Sequence, residues 1–337
     1  MNRIIHTALS RIATFENYTL KTLPRREWAA GDYVVGEVSK PPGHGVRIEL
    51  ANGRLVRVDV GDRLLGALGT RFATLEATGS WENIGDDGFM QAMTAAGLLG
   101  RLTSKSPFLA DLTELTYSGH VLVEGRKLIM KACVPPPIPG SAFMPPVVLI
   151  VGSSMSAGKT RSAQIIIRRL KTMGLRVLAA KLTGAGRYRD VLSMGDAGAD
   201  AIFDFVDAGL PSTICSQAEY RAAIGGLLSR MASVAAQVAV IEAGASPLEP
   251  YNGDTLIELL AGNIKMLLLC ASDPYAVVGI MNAFGKRPDL VAGIACNTDA
   301  GITLIKRLAG LPALRLIDRA SLPALDAMLQ ERFGLPT

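Results

Sequence analysis

Apolar and polar positions alternate in the first part of the chain and run together in the rest. Val46-Arg-Ile-Glu-Leu50 and Val56-Arg-Val-Asp-Val60 both alternate, the period of a strand with one buried face. The Asn52-Gly53 pair between them supplies the positive φ angles of a tight hairpin turn. A second hairpin is expected over Val121-Leu-Val-Glu-Gly-Arg-Lys-Leu-Ile-Met130, and Gly88 to Leu102, helical in composition, is expected to cross between strands. This pattern predicts a small antiparallel barrel or sandwich with one helix.

Further along, Val147-Val-Leu-Ile-Val151, Arg176-Val-Leu-Ala-Ala180, Val238-Ala-Val-Ile241, Lys265-Met-Leu-Leu-Leu269 and Val291-Ala-Gly-Ile-Ala295 are apolar runs of strand length. Helical stretches such as Ser162 to Met173 and Gln217 to Ala235 separate them. Such alternation predicts a mostly parallel sheet covered by helices on both faces, an α/β domain. Between the two patterns, residues 134–146 hold six of the eighteen prolines, which excludes helix or central strand and reads as a stiff linker. The expected organisation is a smaller β-rich N-terminal domain over 1–133, a Pro-rich linker over 134–146 and the α/β domain over 147–337.

Composition narrows the function classes. With 337 residues, 49% of them apolar and 19% charged, the chain is a packed globular protein rather than a disordered one. The formal charge of +5 is spread as +2 before Pro146 and +3 after it, so neither part is a basic nucleic-acid module and no nucleic-acid partner is expected. The four cysteines, Cys133, Cys215, Cys270 and Cys296, form no CxxC pair, and the three histidines, His6, His44 and His120, lie at no ligand spacing. They read as buried thiols in a reducing compartment, without structural zinc. No signal-peptide stretch interrupts the early basic residues, and no run of about 18 apolar residues occurs. A soluble, cytoplasmic protein without a membrane partner is expected.

The chemistry starts directly after the first apolar run, at Gly152-Ser153-Ser154-Met155-Ser156-Ala157-Gly158-Lys159-Thr160, with a helix following. A loop of small residues lets backbone N–H groups close around phosphate oxygens, and the helix N-terminus adds its positive end. Lys159 reaches the β and γ oxygens, and the Thr160 hydroxyl binds Mg²⁺. The spacing departs from GxxxxGK[ST]: Ser153 stands where that pattern has glycine, and five residues separate Gly152 from Gly158. Residues 147–189 hold nine Lys or Arg and no carboxylate. Some of these form a solvated helix face, and together they attract a polyanion.

Three segments carry a resemblance: Gly152-x5-Gly-Lys-Thr160, Lys181-Leu-Thr-Gly-Ala-Gly186, and Val240-Ile-Glu242-Ala-Gly-Ala-Ser-Pro-Leu-Glu-Pro250. Over about residues 147–320 the chain resembles dethiobiotin synthetase and its relatives among the P-loop NTPases (the SIMIBI group). It also resembles two-domain P-loop proteins known as D-amino-acid N-acetyltransferases, through its Thr-Gly pair and Asp204-Phe-Val206. The first resemblance implies ATP and Mg²⁺ as cofactors, bound by residues 152–160. It implies that Glu242 and Thr160 hold the metal, that Lys181 stabilises a transferred phosphate or substrate anion, and that Asn297 reads the adenine edge. Ser154 stands where the synthetase has an aspartate, and Asp190 and Asp196 are nearest to the position of a second metal ligand. A homodimer is implied by resemblance as well. Asp299 falls two residues after Asn297, so the guanine-reading Asn-Lys-x-Asp is absent and ATP is preferred.

Three activities stay open. An ATP- and Mg²⁺-dependent kinase or ligase would pass the γ-phosphoryl group to a small carboxylate-bearing molecule, with Lys159, Lys181 and Glu242 as catalytic residues. No general base is then needed, which suits a second domain without histidine. An acyltransferase would use the loop for coenzyme A. A nucleotide-dependent switch or partner ATPase would carry a further signature lysine early in the loop, where this chain has Ser153, Ser154 and Met155.

Overall fold

The computed structural model describes residues 4–335, which part into two compact units. One comprises the chain up to Pro136 with Ala185–Arg189 and Phe205–Cys215, and the other Pro137–Gly184, Asp190–Asp204 and Ser216 onward.

The first unit is built from β1 (Ile4–His6), β2 (Tyr18–Lys21), β3 (Tyr33–Lys40), β4 (Ile48–Glu49), β5 (Leu55–Val56), β6 (Arg63–Leu68), β7 (Thr70–Ala73), β8 (Ala77–Ser80), β9 (Phe89–Ala92), β10 (Leu98–Lys105), β11 (Glu114–Val123) and β12 (Arg126–Lys127). β3 pairs with β6 and β11, β11 with β9, and β9 with β10, all antiparallel, and β10 returns to β6 in parallel. That last pairing closes a five-stranded ring, which removes the exposed edges an open sheet would carry. Val34, Val38, Leu64, Leu68, Met90, Leu99 and Leu115 fill its core.

Two expectations for this unit are corrected. Residues 88–102 do not form a helix: they contain β9 and the start of β10. Phe89, Met90, Gln91 and Ala92 alternate between half-buried and buried, so closing the ring outweighs their helical composition. Among the described residues before Pro136 only one-turn 3-10 helices occur. The hairpin at Asn52-Gly53 is present but short, pairing Ile48 with Val56 and Glu49 with Leu55. Only Gly53 of its turn has a positive φ, because the Asn52 side chain instead accepts the Arg54 N–H at 3.1 Å. The second hairpin is present as β11 and β12, turning on Glu124 and Gly125 at φ 50° and 75°.

Two buried polar groups organise the first unit. His120 lies between the Tyr117 hydroxyl, 2.5 Å from Nδ1, and Asp32, 3.2 Å from Nε2, and Lys127 also reaches Asp32 at 2.7 Å. His44, by contrast, is exposed in a loop. The buried Glu49 carboxylate accepts the backbone N–H groups of Tyr188 at 2.9 Å and Arg189 at 2.5 Å, where the chain enters a helix.

The second unit holds β13 (Val147–Gly152), β14 (Val177–Thr183), β15 (Ala201–Asp204), β16 (Val238–Ala243), β17 (Ile264–Cys270) and β18 (Leu290–Ala292). Its helices are α1 (Lys159–Thr172), α2 (Tyr188–Asp196, the first two residues of which fall in the first unit), α3 (Gln217–Met231), α4 (Gly253–Leu260), α5 (Pro274–Phe284), α6 (Asp299–Ala309) and α7 (Leu322–Phe333). The strands form one sheet in the order β15-β14-β16-β13-β17-β18 with every pair parallel. β13, β14 and β16 are buried at every residue, so both sheet faces are covered and the fold is the expected α/β class. Ser216 accepts the Glu219 N–H to start α3, and Asp273 accepts those of Tyr275 and Ala276 to start α5. The last apolar run ends as a strand at Ala292, because Gly293 at φ 84° turns the chain into a 3-10 turn over Ile294–Cys296. Among the described residues no helix is long and apolar enough to cross a membrane.

Candidate functional site

The loop after β13 is braced at both ends. The Ser153 N–H donates to the Cys270 carbonyl at 3.0 Å, and its Oγ accepts the Ser272 N–H at 3.0 Å. At the far end the Ile294 N–H donates to the Ala157 carbonyl at 3.3 Å. Gly158, at φ 103°, is the N-cap of α1 and brings no side chain to its first turn. The first-turn N–H groups of a helix have no intrahelical partner, and a helix N-terminus left without a side-chain cap is an arrangement that receives an anion. Ser156 adopts φ 63°, a left-handed conformation costly for a residue other than glycine. Ser154 is buried and Met155 half-buried.

Lys159 turns back over this loop, and its ammonium donates to the Ser154 carbonyl at 2.7 Å. It passes so close to Gly152 that a Cβ there would stand 2.6 Å from Nζ and 2.7 Å from Cδ. A side chain at 152 and the lysine's path are therefore incompatible. At Gly244 a Cβ would stand 2.2 Å from the Thr183 carbonyl oxygen and 2.8 Å from the Lys181 Cε, so the close approach of the β14 backbone already excludes a side chain there. Next to Gly244, Ala245 is held at φ 62°.

A layer of charge lies at the ends of the strands. Lys181 is in register with Glu242 of β16 on one side and with Asp204 of β15 on the other. Thr160 donates its hydroxyl to Glu242 at 2.9 Å, and Lys181 pairs with Asp190, in the first turn of α2, at 2.6 Å. Burial pushes the Lys159 ammonium below its ordinary range against the pull of Glu242. Burial acts on Lys181 in the same sense, but Asp190, Glu242 and Asp204 outweigh it and the ammonium ends above its usual range. Burial raises the Glu242 carboxyl, with Asp190 adding, against Lys181 and Lys159. Glu249, buried, accepts the Ser246 N–H at 2.7 Å and acts on Lys159 as a further negative charge.

A hydroxyl and a carboxylate 2.9 Å apart at the foot of α1 are hard oxygen donors of the kind Mg²⁺ takes, one or two from protein and the rest from phosphate and water. Thr160 and Glu242 thus fit a magnesium ion, and the loop fits phosphates. Asp190 stands beside Lys181 instead. Asp196 is exposed at the far end of α2, about 9 Å further along the helix axis, and is not brought to the cluster. Asn297 is exposed and follows the 3-10 turn rather than ending a strand, since Gly293 has already broken β18. Of the nine basic residues over 147–189, Arg169, Lys171 and Lys181 are paired with Asp326, Asp200 and Asp190. The basic run is therefore partly neutralised. Glu249 was not singled out as a site residue from sequence, and nothing in the local pattern marks it.

Fold and site together define an α/β protein with a glycine-bounded strand-to-helix loop at the C-terminal edge of a parallel sheet. No protein-family model and no curated protein matches the chain in sequence. Among solved structures it is similar to HypB from Helicobacter pylori in complex with nickel, with 16% identity over 58% of this chain and 88% of that one, TM-score 0.39. It is similar to a DUF1611 family protein from Anabaena variabilis, with 18% identity over 56% of this chain and 58% of that one, TM-score 0.34. It is also similar to chloroplast FtsY from Physcomitrella patens, with 14% identity over 50% of this chain and 57% of that one, TM-score 0.33. The chain thus spans less than two thirds of the DUF1611 and FtsY proteins.

Proposed function

We propose that the chain binds ATP with Mg²⁺ at residues 152–160 and passes the γ-phosphoryl group to a small carboxylate-bearing molecule, as a kinase or a ligase of the acyl-phosphate type. The observation that carries this reading is the convergence of Lys159, Lys181 and the Thr160–Glu242 pair beside one uncapped helix N-terminus. Lys159 exchanges its Ser154 carbonyl for phosphate oxygens, and the loop N–H groups hold the remaining oxygens. Thr160 and Glu242 would hold the magnesium ion, which supplies charge neutralisation of the phosphates. Lys181 would face the transferred group from β14, two strands along from β13. A carboxylate acceptor is already a nucleophile, so orientation and electrostatics suffice and no base is required. The missing Asn-Lys-x-Asp spacing at 297–299 favours adenine over guanine.

The test is ADP formation from Mg²⁺·ATP, with and without a pool of small carboxylic and amino acids. Stimulation by the pool is expected in the wild type. Lys159→Ala should lower turnover by about a hundredfold or more, the scale for losing one such charge-stabilising donor, with the fold intact by circular dichroism. Equal turnover in the variant sinks the reading, and tight coenzyme A binding without nucleotide turnover replaces it with acyl transfer.

A further inference from the structure

We infer that Arg315 is a positioning residue for the loop of residues 152–160, acting through the 3-10 turn over Ile294–Cys296 against which that loop rests. The consequence for nucleotide affinity rests on the reading above, whereas the coupling of Arg315 to the loop does not.

The end of the loop meets the turn backbone to backbone. A Cβ on Gly293 would stand 2.2 Å from the Ala157 carbonyl oxygen, and one on Gly158 would stand 3.1 Å from the Gly293 Cα. The Ile294 N–H donates to the Ala157 carbonyl at 3.3 Å, and the Ala295 N–H donates to that of Ala271 at 2.9 Å. No flexible side chain lies between the two backbones to absorb a shift, so a displaced turn carries Ala157 and Gly158 with it. Lys159 and Thr160 follow directly.

Arg315 holds the turn at its other end. The chain before it runs beside β18: the Val291 N–H donates to the Pro312 carbonyl at 2.9 Å, the Leu314 N–H donates to that of Val291 at 3.0 Å, and Ala313 bridges Val291 in parallel. Arg315 is thereby delivered past the end of β18. Its Nε donates to the Cys296 carbonyl at 3.3 Å, its fork reaches Asp299 in the first turn of α6 at 2.6 Å, and Asp318 lies 3.7 Å away. The Asp299 side chain is 94% exposed, and an ion pair so open to water holds little. The bond to the carbonyl is charge-assisted and lies at the end of a turn, where carbonyls lack partners within the turn itself. A guanidinium serves carbonyl and carboxylate together from one plane, which the single ammonium of a lysine does not.

Amide hydrogen exchange of the ligand-free chain tests the coupling. Arg315→Met should speed exchange at Ile294 by about tenfold or more, the scale for losing one charge-assisted bond, while amides of β14 and β16 stay within about twofold of wild type. Equal acceleration throughout, or none at Ile294, overturns the coupling. Arg315→Lys should behave as Arg315→Met, and Asp299→Asn as wild type. The reverse order would make the exposed ion pair the anchor and overturn the role of the carbonyl bond. Titration with Mg²⁺·ADP reads the consequence. Arg315→Met and Arg315→Lys should each weaken binding about tenfold and Asp299→Asn less than about threefold, and unchanged affinity in the two Arg315 variants overturns the consequence for the loop. A wild type that binds no ADP removes the nucleotide reading and the affinity consequence with it, while hydrogen exchange still decides whether Arg315 sets the loop.

Discussion

Replacing Gly152 by alanine gives a stability change whose sign depends on a residue seven positions away. The backbone at 152 is not in the left-handed region, so alanine meets no conformational strain. By itself the exchange should stabilise the protein by about 0.4–1 kcal/mol through the unfolded chain. The new Cβ, however, would stand 2.6 Å, 2.7 Å and 3.1 Å from Nζ, Cδ and Cγ of Lys159. Forcing a methyl into an occupied path costs about 1–3 kcal/mol, and here it also displaces the ammonium from the Ser154 carbonyl, 2.7 Å away. Gly152→Ala is therefore expected to destabilise the wild type by roughly 1–2 kcal/mol net and to be neutral or stabilising in a Lys159→Ala background. Urea denaturation of the four proteins closes the cycle. An equal effect of Gly152→Ala in both backgrounds refutes the claim that the glycine exists to let the lysine pass.

The Glu49→Gln exchange removes the charge that receives the Tyr188 and Arg189 N–H groups and should cost about 1–3 kcal/mol in urea unfolding; a loss below about 0.5 kcal/mol would mean the helix start is held by other groups. Thiol labelling at pH 8 should modify Cys133 and Cys215, which are half-buried, and spare Cys270 and Cys296 until the chain is unfolded, because burial pushes the latter two up to about 12 and about 11. The same shift has a pH consequence: the Cys270 thiol titrates higher in the folded protein than its ordinary 9.0, so its contribution is intact below pH 9 and is lost as pH rises toward 12. Cys270→Ala should flatten that alkaline decline, and an unchanged slope would contradict the burial.

Sequence legibility followed the strength of the local pattern. The continuous apolar runs became the apolar stretches of β13, β14, β16 and β17, because a strand covered on both faces is apolar along most of its length. Residues 88–102 misled because Ala, Met and Leu suit a helix intrinsically, and only the partner strands β10 and β11 impose the extended form on β9. At the site, Gly152 to Thr160 announced themselves by spacing. Lys181 and Glu242 were singled out through the resemblance their segments carry, but the pairing of Lys181 with Asp190 depends on where α2 starts, and no local pattern fixes that. The buried contacts of His120 were illegible for a related reason: Asp32 and Tyr117 meet it only through the pairing of β3 with β11.

The two edges of the parallel sheet are not energetically alike. At the N-terminal ends of the strands stand Val147, Val177 and Val238, apolar and buried. At the other ends stand Lys181, Asp204 and Glu242, buried charges in register, with Ser156 and Ala245 in left-handed backbone beside them. Paired charges in a dry interior gain little over apolar residues of similar size and are often less stable than them. Left-handed non-glycine residues cost about 1–3 kcal/mol each. A sheet selected for stability alone would have carried valine or leucine to both edges, as it does at the first. Among the described residues of the second unit, the buried charges and the left-handed residues other than glycine and asparagine gather at the edge where such sheets take their ligands. The placement of charge and strain therefore supports the proposed site at this edge independently of the glycine-lysine spacing that first drew attention to it.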